Sequence, residues 1–152
     1  MVKQSLTADF KEFLTLLNEA GVEYLLIGGY AVGYYGYPRT TADMDVWIAI
    51  QPDTARKMVT VFGQFGLRGG DVTADLFQKP GNIIRMGVPP VRIEVLNEID
   101  GVTFPECFIR RKVAEIDGIS VNLISLSDLR QNKLASGRHK DLDDIEHLPE
   151  II

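Results

Sequence analysis

Two aspartates two residues apart, Asp43 and Asp45, are the residues of this sequence best suited to chemistry. Apolar residues alternate with them: Met44, Val46, Ile48 and Ile50. This period of two is typical of a β-strand and sets both carboxylates on one face, with Cα atoms roughly 6–7 Å apart. Carboxylates at that spacing can bind two divalent cations ~3.5–4 Å apart, as in two-metal phosphoryl transfer. Because such a pair disfavours a strand without cations, it indicates function; a solvent-facing edge strand is the alternative.

A third acidic residue, Glu94, lies in a second alternating stretch, Val91 to Leu96. Its apolar residues share one face of the predicted strand, so Arg92 and Glu94 share the other. By itself Glu94 fits the wet face of an ordinary strand. Beside an acidic strand, it becomes a candidate metal ligand or general base. Glu98 and Asp100, just beyond the predicted strand, are the fallback candidates.

A glycine pair, Gly28 and Gly29, directly follows a buried apolar strand predicted from Val22 to Ile27. Glycine opens the backbone amides to an anion, because no Cβ prevents close approach. The surrounding spacing fits neither a dinucleotide fingerprint nor a P-loop, since Tyr30 and Tyr34 stand where those motifs need glycine and lysine. A tight strand-to-helix turn explains the pair equally well.

Together these residues resemble the signature of the DNA polymerase beta-like nucleotidyltransferase superfamily. The matching segments are Ile27-Gly28-Gly29 and Asp43-Met44-Asp45-Val46, separated by thirteen residues. The stretch from Arg39 to Asp45 is similar to the Arg-x-Thr-x-Asp-φ-Asp variant (φ apolar) of small bacterial members, which include relatives of AbiEii-type toxins of abortive-infection and toxin–antitoxin systems. Near the C-terminus, Lys133 and the segment 138–144 are similar to a lysine and an Arg-x-Lys-Asp-x-x-Asp helix of that branch.

The resemblance implies transfer of a nucleoside monophosphate from an NTP to an acceptor, on a mixed β-sheet flanked by helices. Gly28 and Gly29 would hold the triphosphate. Asp43, Asp45 and Glu94 would be the catalytic and metal-binding residues for two Mg²⁺ ions, for which Mn²⁺ could substitute. Glu94 would also help to deprotonate the acceptor hydroxyl.

The resemblance also implies further nucleotide-binding residues outside the acidic strands. Arg39 and Thr41 precede the acidic strand and are placed to meet phosphate, although a solvated loop residue is the alternative for Arg39. Lys133 and Lys140 would bind nucleotide or acceptor. The charged residues of a terminal helix such as 138–144 are equally typical of a solvated face.

The acceptor is open at this point: a small molecule, a protein or an RNA end. Many active members of the superfamily carry Gly-Ser in the turn, whereas Gly29 offers only its amide. A catalytically inactive nucleotide-binding or toxin–antitoxin-type regulatory protein on the same fold is therefore the alternative. Tyrosines cluster around one loop and favour interfaces, so a protein partner or homodimer is considered beside simple packing over the sheet. They are Tyr30, Tyr34, Tyr35 and Tyr37.

The composition predicts one domain over residues 1–152, because 45% hydrophobic and 24% charged residues are ordinary for a globular core. Sixteen Lys and Arg against 21 Asp and Glu give a net charge of −5, which disfavours sequence-independent nucleic-acid binding. The single cysteine, Cys107, excludes an internal disulfide and a cysteine-rich zinc module. Because no apolar leader and no apolar run of ~20 residues is present, we expect a cytoplasmic protein without a membrane partner.

The elements that must position these residues alternate along the chain. Their order predicts an α+β fold (an α/β sandwich) with a mixed sheet flanked by helices, and a C-terminal helical part at about 125–148. The predicted helices run from Ser5 or Thr7 to Gly21, over Tyr30–Tyr35 (helix or turn), from Pro52 to about Phe65, from Ser125 or Ser127 through Leu134, and over Lys140–Leu148. The predicted strands, besides 22–27, are Asp43–Ile50, Asn82–Met86, Val91–Leu96, Val113–Ile116 and Ser120–Ile124.

Overall fold

A computed structural model of the chain describes residues 6–37, 43–66, 72–88 and 91–149. These residues form the α+β architecture that the element order predicts, a mixed sheet flanked by helices. The strands are β1 (Tyr24–Ile27), β2 (Asp43–Ile48), β3 (Ile83–Val88), β4 (Val91–Leu96), β5 (Lys112–Ile116) and β6 (Ile119–Leu123). The helices are α1 (Ala8–Ala20), α2 (Gly28–Tyr34), α3 (Pro52–Phe65), α4 (Ala74–Gln78), α5 (Phe104–Ile109), α6 (Leu126–Ser136) and α7 (His139–His147).

The six described strands lie in the order β3-β4-β2-β1-β6-β5. Strand β2 is central to the site, since it pairs antiparallel with β1 on one side and parallel with β4 on the other. Strand β6 runs parallel to β1, whereas the β3–β4 and β5–β6 pairs are antiparallel hairpins. Both neighbours of β2 are therefore held by backbone hydrogen bonds, which fixes the residues opposite Asp43 and Asp45.

Local capping explains where the principal helices begin and end. The Thr7 hydroxyl accepts a hydrogen bond from the Phe10 N–H at the start of α1, and Gly21 ends that helix in the left-handed region at φ +70°. Helix α6 begins in the same way, since the Ser125 hydroxyl accepts from the Asp128 N–H. Of the two predicted caps for α6, Ser125 is correct; for α1 it is Thr7, and Ser5 lies outside the described residues.

The core is aromatic where α1, α3 and α4 pack against one another. Phe62 of α3 contacts Phe13 of α1 and Phe77 of α4 edge to face, at centroid distances of 5.9 and 5.2 Å. On β2, Trp47 is buried and packs edge to face against Phe104 of α5, at 5.2 Å. Helix α5 therefore covers β2 beyond the point at which its two aspartates lie.

Several predicted element boundaries were wrong. The acidic strand ends at Ile48 rather than Ile50, and the short helix begins at Gly28 rather than Tyr30. Shifts of one or two residues affect the predicted strands 22–27, 82–86, 113–116 and 120–124 and the last two helices. Helices α4 and α5 were not predicted at all, because five- and six-residue helices are too short for an amphipathic period to show.

The four clustered tyrosines all contact other parts of the chain. Tyr30 is buried and packs edge to face on Phe10. Tyr34 packs against the hydrophobic core, and the Tyr35 hydroxyl donates to the Ile124 carbonyl oxygen at 2.7 Å. Tyr37 stacks on His147 of α7 at a centroid distance of 4.0 Å. The packing alternative therefore describes these residues, and a protein partner stays a prediction. Over the ranges that the structure describes, no helix is both long and apolar enough to cross a membrane.

Candidate active site

Strand register brings the three predicted acidic residues together. In the parallel β2–β4 pair, Asp45 lies opposite Glu94, and Asp43 lies opposite Arg92. Residues in register on neighbouring strands are ~4.8 Å apart and point to the same face of the sheet. Asp43, Asp45 and Glu94 each have a carboxylate oxygen within 4.8 Å of those of the other two. The structure thus juxtaposes two acids from one strand with a third from its neighbour.

The glycine turn lies directly against the acidic pair. Ile27 pairs with Asp45 across the β1–β2 ladder, so the next residue, Gly28, reaches the Asp45 side chain. Gly28 has a left-handed φ of +67°, and a Cβ at that position would overlap the Asp45 carboxylate. Glycine is therefore required here for two reasons, backbone conformation and space. Gly29 is buried in the first turn of α2.

Asp45 is the acid most affected by its surroundings. Burial is the largest cause of a pKa raised to about 7, and the negative charges of Glu94 and Asp43 raise it further. The positive charge of Lys133 acts in the opposite direction. The buried Oδ1 atom of Asp45 has no hydrogen-bond partner among the described residues. A buried carboxylate oxygen in this state is costly unless a cation or a proton satisfies it.

Arginines neutralise the outer part of the acidic cluster. Arg92 binds Asp43 with two parallel hydrogen bonds, Nε to Oδ1 and Nη2 to Oδ2, both at 2.9 Å. Its Nη2 also lies 3.3 Å from Glu94 Oε1. Arg85 of β3 donates from Nε to the same Glu94 oxygen at 3.1 Å. Acidic and basic side chains thus alternate on this face of the sheet. In these contacts, neither arginine pairs with Asp45.

Lys133 is buried between the two C-terminal helices rather than exposed on a solvated face. Its Nζ lies 2.9 Å from Asp141 Oδ1 and 3.2 Å from Asp144 Oδ2. Relative exposures of 5% for Lys133, 1% for Asp141 and 0% for Asp144 rule out the solvated-face alternative for these residues. Ser136 and Arg138 also donate hydrogen bonds to Asp141 Oδ2.

These hydrogen bonds determine the ionisation of Asp141. Burial alone would raise its pKa, but donation from Ser136, Lys133 and Arg138 outweighs burial and lowers the pKa to about 2. Asp141 is therefore ionised at neutral pH. The pair of helices holds a fixed cation, Lys133, whose field reaches Asp45.

A cleft of about 300 Å³ connects the glycine turn to this buried lysine. The acidic strand contributes Asp45 to its wall, the turn contributes Gly28, and α6 contributes Lys133. The other lining residues are Ile27, Leu96, Glu98, Ile99, Asp100, Asn132, Ser136 and Arg138. The cleft thus carries basic groups on one wall and a carboxylate of the acidic cluster on another, an arrangement that can hold an anion beside bound cations.

The remaining predicted site residues lie in three situations. Arg39 and Thr41 fall outside the described residues. Lys140 is exposed in the first turn of α7 and does not line the cleft that contains Lys133. Glu98 and Asp100, the fallback acids, line that cleft instead of joining the carboxylate cluster.

Sequence reasoning missed several residues of the cleft. Asn132 and Ser136 line it and were not predicted, and Arg138 also lines it but was predicted only as part of the matched segment 138–144. Ser136 and Arg138 carried a usable signal, because they lie five and three residues before Asp141 and can reach it at the α6–α7 junction. Asn132 carried none, since its contact with the Asp100 carbonyl depends on how α6 docks.

The sheet topology and the clustered acids define a nucleotidyltransferase-like protein. The chain belongs to the family described as "Nucleotidyl transferase of unknown function (DUF2204)", whose pattern it matches over residues 6–152. No protein of curated function matches the chain in sequence.

Two crystal structures are similar to this fold. A candidate nucleotidyltransferase from Thermotoga maritima superposes with a TM-score of 0.62 at 14% identity, covering 90% of this chain and 88% of that one. An antigenic nucleotidyltransferase-like protein from Paracoccidioides brasiliensis superposes with a TM-score of 0.56 at 21% identity, covering 93% and 76%. At these identities the likeness establishes the fold alone.

Proposed function

We propose that the protein is a metal-dependent nucleotidyltransferase that moves a nucleoside monophosphate from an NTP to an acceptor. The observation that carries this proposal is the convergence of Asp43, Asp45 and Glu94 within 4.8 Å, beside a glycine turn. Arg92 and Arg85 pair with Asp43 and Glu94, but these contacts leave the buried Oδ1 of Asp45 without a partner among the described residues. The family match supports the same class of reaction.

The residues fit a divalent cation of the Mg²⁺ or Mn²⁺ type. Carboxylate oxygens are the hard ligands that these ions prefer, and the three acids supply them from two rigid strands. The buried Oδ1 of Asp45, which has no hydrogen-bond partner among the described residues, fits a bound cation, because burial without a partner is otherwise unfavourable. In the proposal Asp43, Asp45 and Glu94 hold two such ions, whose chemistry is to neutralise charge that develops on the phosphate oxygens.

The protein's own groups bind and orient the two substrates. Lys133 and Arg138 line the cleft beside Asp45 and would attract the triphosphate, while the glycine turn, Gly28 and Gly29, would hold it. Arg39, Thr41 and Lys140 complete the proposed nucleotide-binding set, as the superfamily resemblance implies. Glu94 would accept the proton of the acceptor hydroxyl. The hydroxyl oxygen would then attack the α-phosphorus of the NTP, and pyrophosphate would leave.

The same resemblance leads us to propose membership of the AbiEii-type branch. The buried Lys133 and the Arg138–Asp144 segment support this, because they contact one another beside the cleft. The acceptor in this proposal is a small molecule, a protein or an RNA end, and residues 1–152 form a single nucleotidyltransferase-like domain.

Transfer of radiolabel tests the proposal directly. The purified protein is incubated with each α-³²P-labelled NTP and Mg²⁺, and label is sought on the protein itself, on small RNA and on a metabolite extract. We expect label on one of these, loss of at least ~10³-fold in Asp45→Asn, and full transfer in the matched control Asp9→Asn, whose side chain is exposed in the first turn of α1.

The results separate this proposal from its alternative. Transfer that survives in Asp45→Asn contradicts the assigned site. Calorimetric binding of NTP with Mg²⁺, without label on any acceptor, favours a catalytically inactive nucleotide-binding or toxin–antitoxin-type regulatory protein instead. The absence of both binding and transfer contradicts both functions.

A further inference from the structure

Arg92 occupies the carboxylates that the proposed function assigns to metal. Its guanidinium makes two 2.9 Å hydrogen bonds to Asp43 and lies 3.3 Å from Glu94. Parallel guanidinium–carboxylate hydrogen bonds are among the strongest polar contacts in proteins, and they use both oxygens of the acid. Both Asp43 oxygens are therefore engaged by an internal cation.

The Arg92 guanidinium and a divalent cation compete for the same carboxylate oxygens. Each needs the Asp43 and Glu94 oxygens at contact distance, and their positive charges repel strongly at a separation of a few ångströms. Arg92 cannot therefore keep both contacts when these acids ligate metal. Because β4 is paired with β2 at Asp43↔Arg92, we expect the Arg92 side chain, rather than the backbone, to relieve this competition.

We propose that Arg92 is a displaceable internal cation, which holds Asp43 and Glu94 together in the metal-free protein and leaves when a divalent ion binds. This inference rests on the proposed metal site. It makes Arg92 a positioning residue that lowers the affinity of the site for free metal. The Arg92 side chain is 31% exposed, so the guanidinium can move into solvent when it leaves the two acids.

Arg85 provides a matched comparison on the same sheet face. It has the same charge and also contacts Glu94, but through a single 3.1 Å contact, and its side chain is 54% exposed. An effect of general positive charge would thus be similar for the two arginines, whereas of these two it is Arg92 that makes the two parallel hydrogen bonds to Asp43.

Calorimetric titration of Mn²⁺ without nucleotide measures the competition. We expect Arg92→Gln to bind Mn²⁺ about tenfold more tightly than the wild type, because loss of one charge-assisted hydrogen-bonded pair is worth roughly that factor. Arg85→Gln should change the affinity by less than about threefold, given its exposure. Asp45→Asn serves as the reference in which metal binding is lost.

A second measurement uses the wild type, so that it does not depend on the folding of a variant. The Nε–H resonance of Arg92 is assigned as the one missing in Arg92→Lys, and Mg²⁺ is then added. We expect this resonance to shift in step with metal binding, while the Arg85 resonance moves much less.

Each outcome decides the inference. Unchanged or weaker Mn²⁺ binding in Arg92→Gln, an equal gain in Arg85→Gln, or an Arg92 resonance that ignores Mg²⁺ each overturns it while the metal site itself stands. Absence of Mn²⁺ binding in every variant overturns the inference and the proposed function together.

Discussion

The position of Asp45 in the fold disfavours the ionised form of its carboxyl group. Burial and the neighbouring acids Glu94 and Asp43 favour its neutral form, whereas a metal ligand must be ionised. Gly28 contributes to this tension, because the absence of a Cβ lets the backbone close over the carboxylate. Residues held against their local preference in this way are typical of functional sites.

Replacing Asp45 by Asn should stabilise the metal-free protein at neutral and higher pH. The folded pKa of about 7 exceeds the ordinary 3.8, so the stability that Asp45 contributes is present below about pH 4 and lost as pH rises through about 7. Because Asn does not ionise, Asp45→Asn does not lose this stability as the pH rises. We expect the free energy of unfolding of Asp45→Asn to exceed that of the wild type by about 2–4 kcal/mol at pH 8, and by little at pH 4.

Urea unfolding with a chelator at pH 4, 6 and 8 provides the measurement. Asp9→Asn, an exposed substitution in the first turn of α1, should stay within about 1 kcal/mol of the wild type. A stability difference between Asp45→Asn and the wild type that does not change with pH would show that burial does not hold the Asp45 carboxyl in its neutral form.

For single residues, the sequence predicts the three acids of the site but not the residues that pair with them. Asp43, Asp45 and Glu94 follow from strand alternation, which is a local property of the chain. The pairing of Arg92 with Asp43 depends on the register between β2 and β4, and no local pattern encodes which residues of two distant strands lie opposite.

The α6–α7 pair is held together by buried charge rather than by a large apolar seam. Lys133 of α6 contacts Asp141 and Asp144 of α7, and all three are buried. Removing one partner of such a cluster leaves the others charged and unsolvated, which costs more than the intact cluster contributes. The helices therefore depend on Lys133, whatever ligand the cleft binds.

Lys133→Met should destabilise the protein by about 3–5 kcal/mol, because it removes the buried cation that Asp141 and Asp144 share. The exposed Lys140 on the same pair of helices is the matched control, and Lys140→Met should change stability by less than ~0.5 kcal/mol. Urea unfolding at pH 7 measures both. Equal stability of the two variants would mean that water or a proton satisfies Asp141 and Asp144 when the lysine is gone.

Elements with a strong local signal were predicted well, and the others were not. Helix α3 has Pro52 at its start and an apolar stripe, and its predicted end at Phe65 is confirmed. Strand β4 was predicted with its observed bounds, Val91 to Leu96. Helix α5 was missed because it has six residues and depends on packing against Trp47, a contact that forms only in the assembled fold.

The whole molecule assembles its candidate site from parts of the chain that are far apart in sequence. The glycine turn, both acidic strands and α6 meet only because β2 lies between β1 and β4 in the sheet. Composition and element order predict a mixed sheet with helices, but not this strand order, since many orders satisfy the same local patterns. The cleft is therefore not predictable from local patterns, although the sequence identifies most of its charged residues individually as candidates.

Because a folded site is needed to gather the ligands, metal binding should stabilise the entire domain. At a Mn²⁺ concentration of 100 times Kd, linkage gives about 2.7 kcal/mol, which for a chain of this length raises Tm by roughly 5–10 °C. Calorimetric melting of chelator-treated protein, with and without Mn²⁺, measures this rise. It should be larger at pH 8 than at pH 6, since protons compete for Asp45, whose pKa is about 7. Asp45→Asn should show no rise at either pH; the same rise in that variant would place the bound metal away from this cluster.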